Sequence, residues 1–235
     1  MPSLSSTSLA LALLASGYLH ALCTTSPHTA QTPYRTDRIR LFVTTLPALA
    51  TRISSLIVLY QALVTLFATS SPSDQDIFTA ICPYPDNVNS TRVTWTPRTV
   101  AYFLLVLLGA SIRLSAYDGL GSNFTFQLAT PDRLVTTGVY RLLQHPSYTG
   151  LVLASIGHAG LIVNRVNTPV ACLIPDDLVE ILRAWEGGLG VVGVVVAVAV
   201  LGVRIRDEER MLRERFGAVW VDWHKKTRRL IPGVF

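Results

Sequence analysis

Apolar residues in this chain fall in long blocks separated by polar stretches, instead of alternating with polar ones. The blocks cover residues 4–23, 41–68, 99–114, 148–163 and 189–203. At a helical rise of about 1.5 Å per residue, roughly 20 apolar residues cross the hydrocarbon layer of a bilayer. The pattern therefore predicts an all-α, polytopic membrane protein with about five transmembrane helices and a cytosolic C-terminal helix and tail. In the second block Arg52 interrupts the apolar run. The expected span there is 53–69, preceded by an interfacial or broken segment around Pro47. The last block is rich in Val and Gly, which in water would favour a strand. In lipid a lone strand leaves its backbone groups unpaired, so a helix is expected.

The polar stretches carry turn formers and set the topology. Residues 24–40 read as a short basic loop. Residues 70–98 read as a loop with Pro83, Pro85 and the glycosylation sequon at Asn89. The loops at 24–52 and 113–146 carry more Arg than acid, whereas those at 70–98 and 164–184 carry more acid than Arg. The positive-inside rule puts the first pair and the tail at 204–235 in the cytosol, and the second pair in the lumen. Asn89 then faces the glycosylation machinery, and the second sequon at Asn123 stays on the cytosolic side. Arg113, at the end of its span, is expected to snorkel to the interface. Residues 4–23 lack a basic start, so a retained span is expected, with a signal sequence as the alternative.

Composition sharpens this picture in two places. Half of the 235 residues are apolar and 15% are charged, with a formal net charge of +5. That charge does not point to nucleic acid, because the basic residues flank apolar blocks or sit in the tail and no nucleic-acid-binding pattern is present. Cys23, Cys82 and Cys172 are widely spaced and specify neither a disulfide framework nor a metal site. A Cys82–Cys172 bridge across the two lumenal loops remains open.

Two polar segments, both assigned to the cytosolic face, carry candidate chemistry. The first runs from Gly138 through Tyr140, Leu143, Gln144, His145, Pro146 and Tyr148 to Gly150. Pro146 suits the first turn of a helix, where its missing N–H is not needed. Gly150, one turn later, permits close approach of a ligand or a neighbouring helix. The second segment, 204–217, reads as a helix leaving the membrane, with Arg204 over Glu208 and Glu209 over Arg213 at i,i+4. Its bland reading is a salt-bridged juxtamembrane helix. The apolar ending Leu230-Ile231-Pro232 suggests that the C-terminus folds back onto the protein or the bilayer.

Together, Tyr140-x-x-x-Gln144-His145-Pro146-x-Tyr148-x-Gly150 and Glu208-Glu209-x-x-Leu212-x-x-x-Phe216-Gly217, with Arg229-Leu230-Ile231-Pro232, resemble the isoprenylcysteine carboxyl methyltransferase family. The resemblance implies two regions, an N-terminal transmembrane region at 1–95 and a methyltransferase-like catalytic region at 96–235. It also implies S-adenosyl-L-methionine as cofactor, a prenylated protein or lipid as substrate, and the endoplasmic reticulum membrane as location, with the site facing the cytosol. Tyr140, Leu143, Gln144, His145, Tyr148 and Gly150 would shape the cofactor pocket. Glu208 and Glu209, with Arg204, Arg206 or Arg213, would form the reaction centre, and no metal is implied. Three positions depart from the family pattern: Gln144 stands where the family usually has Arg, and Trp220 and Trp223 stand where Tyr is common. A phospholipid or other small-lipid methyltransferase, a membrane sterol reductase and an inactive membrane scaffold remain as rival readings.

Overall fold

The structure is a computed structural model and describes residues 3–28, 45–68, 75–88, 93–162 and 169–230. The basic residues Arg35, Arg38 and Arg40, the Asn89 sequon and the end of the tail from Ile231 lie outside the described residues. The described chain is helical: α1 (Leu4–Thr24), α2 (Thr45–Phe67), α3 (Gln75–Ile81), α4 (Pro97–Leu120), α5 (Pro146–Ile162), α6 (Asp176–Phe216) and α7 (Ala218–Lys226). Leu143 and Arg228 pair in an isolated parallel bridge.

Among the described residues, four helical segments are long and apolar enough to cross a membrane: Leu4–Thr24, Thr45–Phe67, Pro97–Asn123 and Gly187–Phe216. The expected fourth span is α5, a helix of 17 residues. At the helical rise those described residues reach about 25 Å, at the lower end of the range of lengths that span a bilayer. One expectation is corrected. α2 is continuous from Thr45 and is not broken at Pro47. Pro47 is its third residue, within the first turn, where backbone N–H groups have no intrahelical acceptor and a missing one does no harm. The span expected at 189–203 and the helix expected to leave the membrane at 204–217 form one helix, α6, of 41 residues, which also takes in the residues from Asp176 onward. No proline falls between Asp176 and Phe216, and the Arg and Glu residues beyond the apolar run are themselves good helix formers.

The chain divides into two compact units. The first combines 1–21, 51–107 and 155–193. Its core clusters Leu9, Leu13, Val58, Val106, Leu161 and Ile162. A polar seam runs through it: His158, 3% exposed, meets Ser54 at 2.7 Å and Ser16 at 3.4 Å and stacks on His20. These mutual bonds satisfy polar groups that lipid could not. A second cluster surrounds a disulfide between Cys82 and Cys172, with Val64 and Val93 buried beside it. The bridge left open by the sequence is therefore present. It links residues 90 apart, and the cross-link restricts a long loop of the unfolded chain. Replacing both cysteines by Ala is expected to remove about 2–4 kcal/mol of stability, read as a lower thermal midpoint in detergent. An unchanged midpoint would mean that the surrounding apolar packing holds this corner alone.

The second unit combines 22–50, 108–154 and 194–235 and contains both polar segments. Here α4 and α5 touch backbone to backbone. A Cβ built on Gly150 would lie 2.6 Å from Arg113 N and from Gly109 O. The permissive Gly150 thus serves a neighbouring helix. Gly217 (φ 53°) takes a positive-φ conformation between α6 and α7, one that a residue without Cβ adopts freely, and turns the chain.

Candidate functional site

The site is assembled where the start of α5, the last turns of α6 and the returning tail converge within the second unit. His145 precedes the helix, and its carbonyl accepts the N–H groups of Tyr148 (3.1 Å) and Thr149 (3.2 Å). Pro146 occupies the first helical position, as expected. The His145 side chain is buried, with Nε2 3.3 Å from Glu209 Oε1. A carboxylate only accepts, so Nε2 carries the proton. His145 Nδ1 lies 3.8 Å from Glu208 Oε1 and has no hydrogen-bond partner among the described residues. A buried ring nitrogen left in this state is one that a ligand would satisfy.

Glu208 and Glu209 have different partners. Tyr148 donates its hydroxyl to Glu208 Oε2 at 2.5 Å. Arg204 Nε donates to the same Tyr148 oxygen at 3.3 Å, and Arg204 Nη2 donates to the Phe126 carbonyl at 2.7 Å. Glu209 is gripped by Arg229, with Nε 2.9 Å from Oε1 and Nη2 3.1 Å from Oε2. This is a two-point fork, which fixes orientation as well as charge. The expected helical pairs are therefore replaced. Arg204 reaches Tyr148 and Phe126, Glu209 pairs with Arg229, and Arg213 stands exposed on α6.

Gln144 has a role that its place in the motif did not reveal. Its Nε2 donates to the carbonyls of Thr227 (2.7 Å) and His224 (3.0 Å), and its Oε1 lies 2.8 Å from His224 Nδ1. With Oε1 as acceptor, Nδ1 must carry the His224 proton. Burial pushes the His224 imidazole below its ordinary value and Arg229 adds to the fall, although Glu209 pulls the other way. The ring is thus favoured in its neutral form, with its one proton on Nδ1. Backbone bonds from Gln144 N to Arg228 O (2.7 Å) and from His145 N to Arg229 O (3.0 Å) extend the clamp. Thr149 Oγ1 adds a bond to the Leu230 carbonyl. As far as Leu230 the tail folds back onto the protein, and Gln144 holds it there. Arg141, on the turn before it, is exposed.

Tyr140 and Leu143 are buried beside this clamp. Tyr140 receives Trp223 Nε1 on its carbonyl at 3.3 Å, while Trp220 stacks on His224. Burial, and next the negative charge of Glu208, push the Tyr140 phenol well above its ordinary range. It is therefore a neutral hydrogen-bonding group at physiological pH.

Two contributors escaped sequence reasoning. Arg229 was visible as part of the tail motif, but nothing local pairs it with Glu209, 20 residues earlier. Arg113 does not snorkel. It is 3% exposed, donates from Nε to the Cys23 carbonyl (2.8 Å) and from Nη1 to Ser147 O (2.9 Å) and Oγ (2.6 Å), and lies over the rings of Tyr117, Phe124 and Phe126. It anchors the first turn of α5, next to His145 and Tyr148. Carbonyls and aromatic faces make a favourable home for a guanidinium away from water.

Residues 101–183 match the family described as isoprenylcysteine carboxyl methyltransferase. A Xenopus laevis relative, protein-S-isoprenylcysteine O-methyltransferase, is 31% identical over 172 residues, covering 72% of this chain and 50% of that protein. The Dictyostelium discoideum relative of the same name is 28% identical over 135 residues (56% and 48%), and that of Mus musculus is 28% identical over 145 residues (60% and 43%). The chain thus spans about half the length of the curated relatives it matches.

Proposed function

The chain belongs to the isoprenylcysteine carboxyl methyltransferase family, and from that premise we propose that it transfers a methyl group from S-adenosyl-L-methionine to the C-terminal carboxylate of a prenylated cysteine. The observation that carries the reading is the Glu209–Arg229 fork against the buried His145, beside the Tyr148–Glu208 bond.

The residues present suit the cofactor. His145 Nδ1 is a buried polar atom in want of a partner, and Glu208 supplies negative charge close to it. His145, Tyr148 and Tyr140 would hold the cofactor, with Glu208 balancing its positive charge. When bound, the cofactor supplies an electrophilic methyl group on a sulfonium. The chain's own task is then to position the acceptor and exclude water. A carboxylate acceptor is already a nucleophile and needs no base. It needs an orienting cation and a dry approach. Arg229 meets the first need: Glu209 holds it in a defined orientation, and its side chain remains 40% exposed. A bare carboxylate beside the acceptor would repel it, so Glu209 acts through Arg229. Gln144 contributes by fixing the tail that carries Arg229, which accounts for a neutral residue where the family usually has Arg.

The Cys82–Cys172 disulfide supports a lumenal placement of its two loops, because such bonds persist in oxidising compartments. Together with the charge of the loops, it favours an endoplasmic reticulum membrane with the site facing the cytosol.

The test uses membranes lacking an endogenous prenylcysteine methyltransferase. Wild-type chain is expected to transfer labelled methyl from S-adenosyl-L-methionine to a farnesylated cysteine as a base-labile ester. Cofactor binding without ester formation would overturn the substrate, and absence of both would overturn the enzyme reading.

A further inference from the structure

The last turns of α6 carry two sets of residues at the same spacing. Arg204, Glu208 and Met211 fall at i, i+4 and i+7, and all belong to the inner face: Arg204 and Met211 are buried, and Glu208 bonds Tyr148. Arg206, Arg210 and Arg213 repeat the spacing two residues later. A shift of two residues turns about 200° around a helix, so the second set lies on the opposite face. All three of these arginines are exposed. Followed back toward the apolar run, the same outer line passes Val203, Ala199 and Val195, also exposed, with Val195 at 61%.

One helix face therefore presents small apolar side chains along the membrane-crossing part and then three guanidinium groups on successive turns. That order matches one molecule end to end, an anionic phospholipid with its acyl chains beside the valines and its phosphate among the arginines. Arginine suits this role because its planar donors pair with phosphate at two points and its charge persists at any physiological pH. A purely topological role for the positive charge would be served equally by Lys in any arrangement. It would not require three Arg aligned with an exposed apolar strip.

We infer that the outer face of α6, from Val195 to Arg213, is a binding surface for anionic phospholipid of the surrounding bilayer, with Arg206, Arg210 and Arg213 holding the headgroup. The surface is distinct from the methyl-transfer site on the opposite face of the same helix, and its test does not depend on that activity.

The full chain in detergent is titrated with phosphatidylglycerol or with phosphatidylcholine of the same acyl chains, and the lipid retained is counted by native mass spectrometry. Each basic residue near an anionic surface contributes on the order of a fivefold change in association. Wild type is therefore expected to prefer phosphatidylglycerol at least about fivefold, and the preference should shrink as salt is raised. R206Q/R210Q/R213Q should bring it below about twofold. K225Q/K226Q, which removes charge from α7, should leave it in place. Water-soluble glycerol phosphate at matched concentration should not displace the lipid, because the apolar strip contributes to binding. Equal affinity of wild type for the two lipids would overturn the proposal, as would a preference that survives the triple replacement. If the triple variant does not fold, the single replacements carry the same test, each with a partial loss expected and no loss in any of them counting against the surface.

Discussion

Replacing Glu209 by Gln is expected to lower kcat/KM for methyl transfer by about 10²-fold or more, while the helical content measured by circular dichroism stays near that of wild type. The size follows from the position of Glu209 between two groups. One oxygen meets His145 Nε2, and both oxygens meet the Arg229 fork. Gln keeps the volume but presents an N–H₂ group to a guanidinium that can only donate, so one arm of the fork becomes a clash of donors. The guanidinium then loses its fixed orientation, and small displacements of a positioning group reach 10²-fold in rate. Arg229→Ala is expected to produce a loss of similar size, because either change releases the same unit. The double variant should be little worse than each single one, since residues acting together lose their effect together. Losses that multiply in the double variant would show instead that the two side chains act independently. A Glu209→Gln enzyme within threefold of wild type would remove Glu209 from the reaction centre altogether.

That pairing also marks the boundary of what the sequence discloses. Apolar block lengths place α1, α4 and the start of α5 closely, because lipid exposure demands long apolar runs and a proline opens a helix. The reading fails where a helix continues past its apolar portion. Toward its N-terminus α6 runs on to Asp176, ahead of the stretch 189–203, because helix continuity depends on backbone bonding, to which hydropathy is blind. By contrast, its continuation to Phe216 is legible as a helix leaving the membrane. Of the site, His145, Tyr148, Glu208, Glu209 and Arg204 are legible through motif and resemblance, and the fold brings them together. Their partners are not. Local periodicity pairs Glu209 with Arg213, but the fork to Arg229 depends on the Gly217 turn and the returning tail. Gln144 looks like a damaged cofactor residue until its bonds to His224 and Thr227, 80 and 83 residues away, are known. Arg113 looks like an interfacial residue until the carbonyl of Cys23 and three rings are found around it.

Gly150→Ala gives a second large effect, in which two opposed terms decide the sign. Inside a helix, Ala is favoured over Gly by about 1 kcal/mol, so an uncrowded substitution would stabilise the protein. Here the new Cβ would lie 2.6 Å from Arg113 N and from Gly109 O. Both are backbone atoms of α4, which no rotamer change can move aside. The helices must separate, and overpacking of this kind destabilises by about 1–3 kcal/mol. The strain falls one turn from Ser147, which Arg113 holds through two bonds, and so reaches His145 and Tyr148 at the head of α5. A lower thermal midpoint is expected, together with a fall in methyl transfer of roughly 10²-fold for a displacement near 1 Å. Gly202→Ala on α6 is the matched control, because a Cβ there meets nothing within 4 Å, so the propensity gain should appear unopposed and the midpoint should hold or rise. If Gly150→Ala behaves as Gly202→Ala does, the close crossing of α4 and α5 is not what sets the geometry of the site. If only Gly150→Ala loses both stability and activity, the small residue is required by the neighbouring helix, and the site depends on that contact for its alignment.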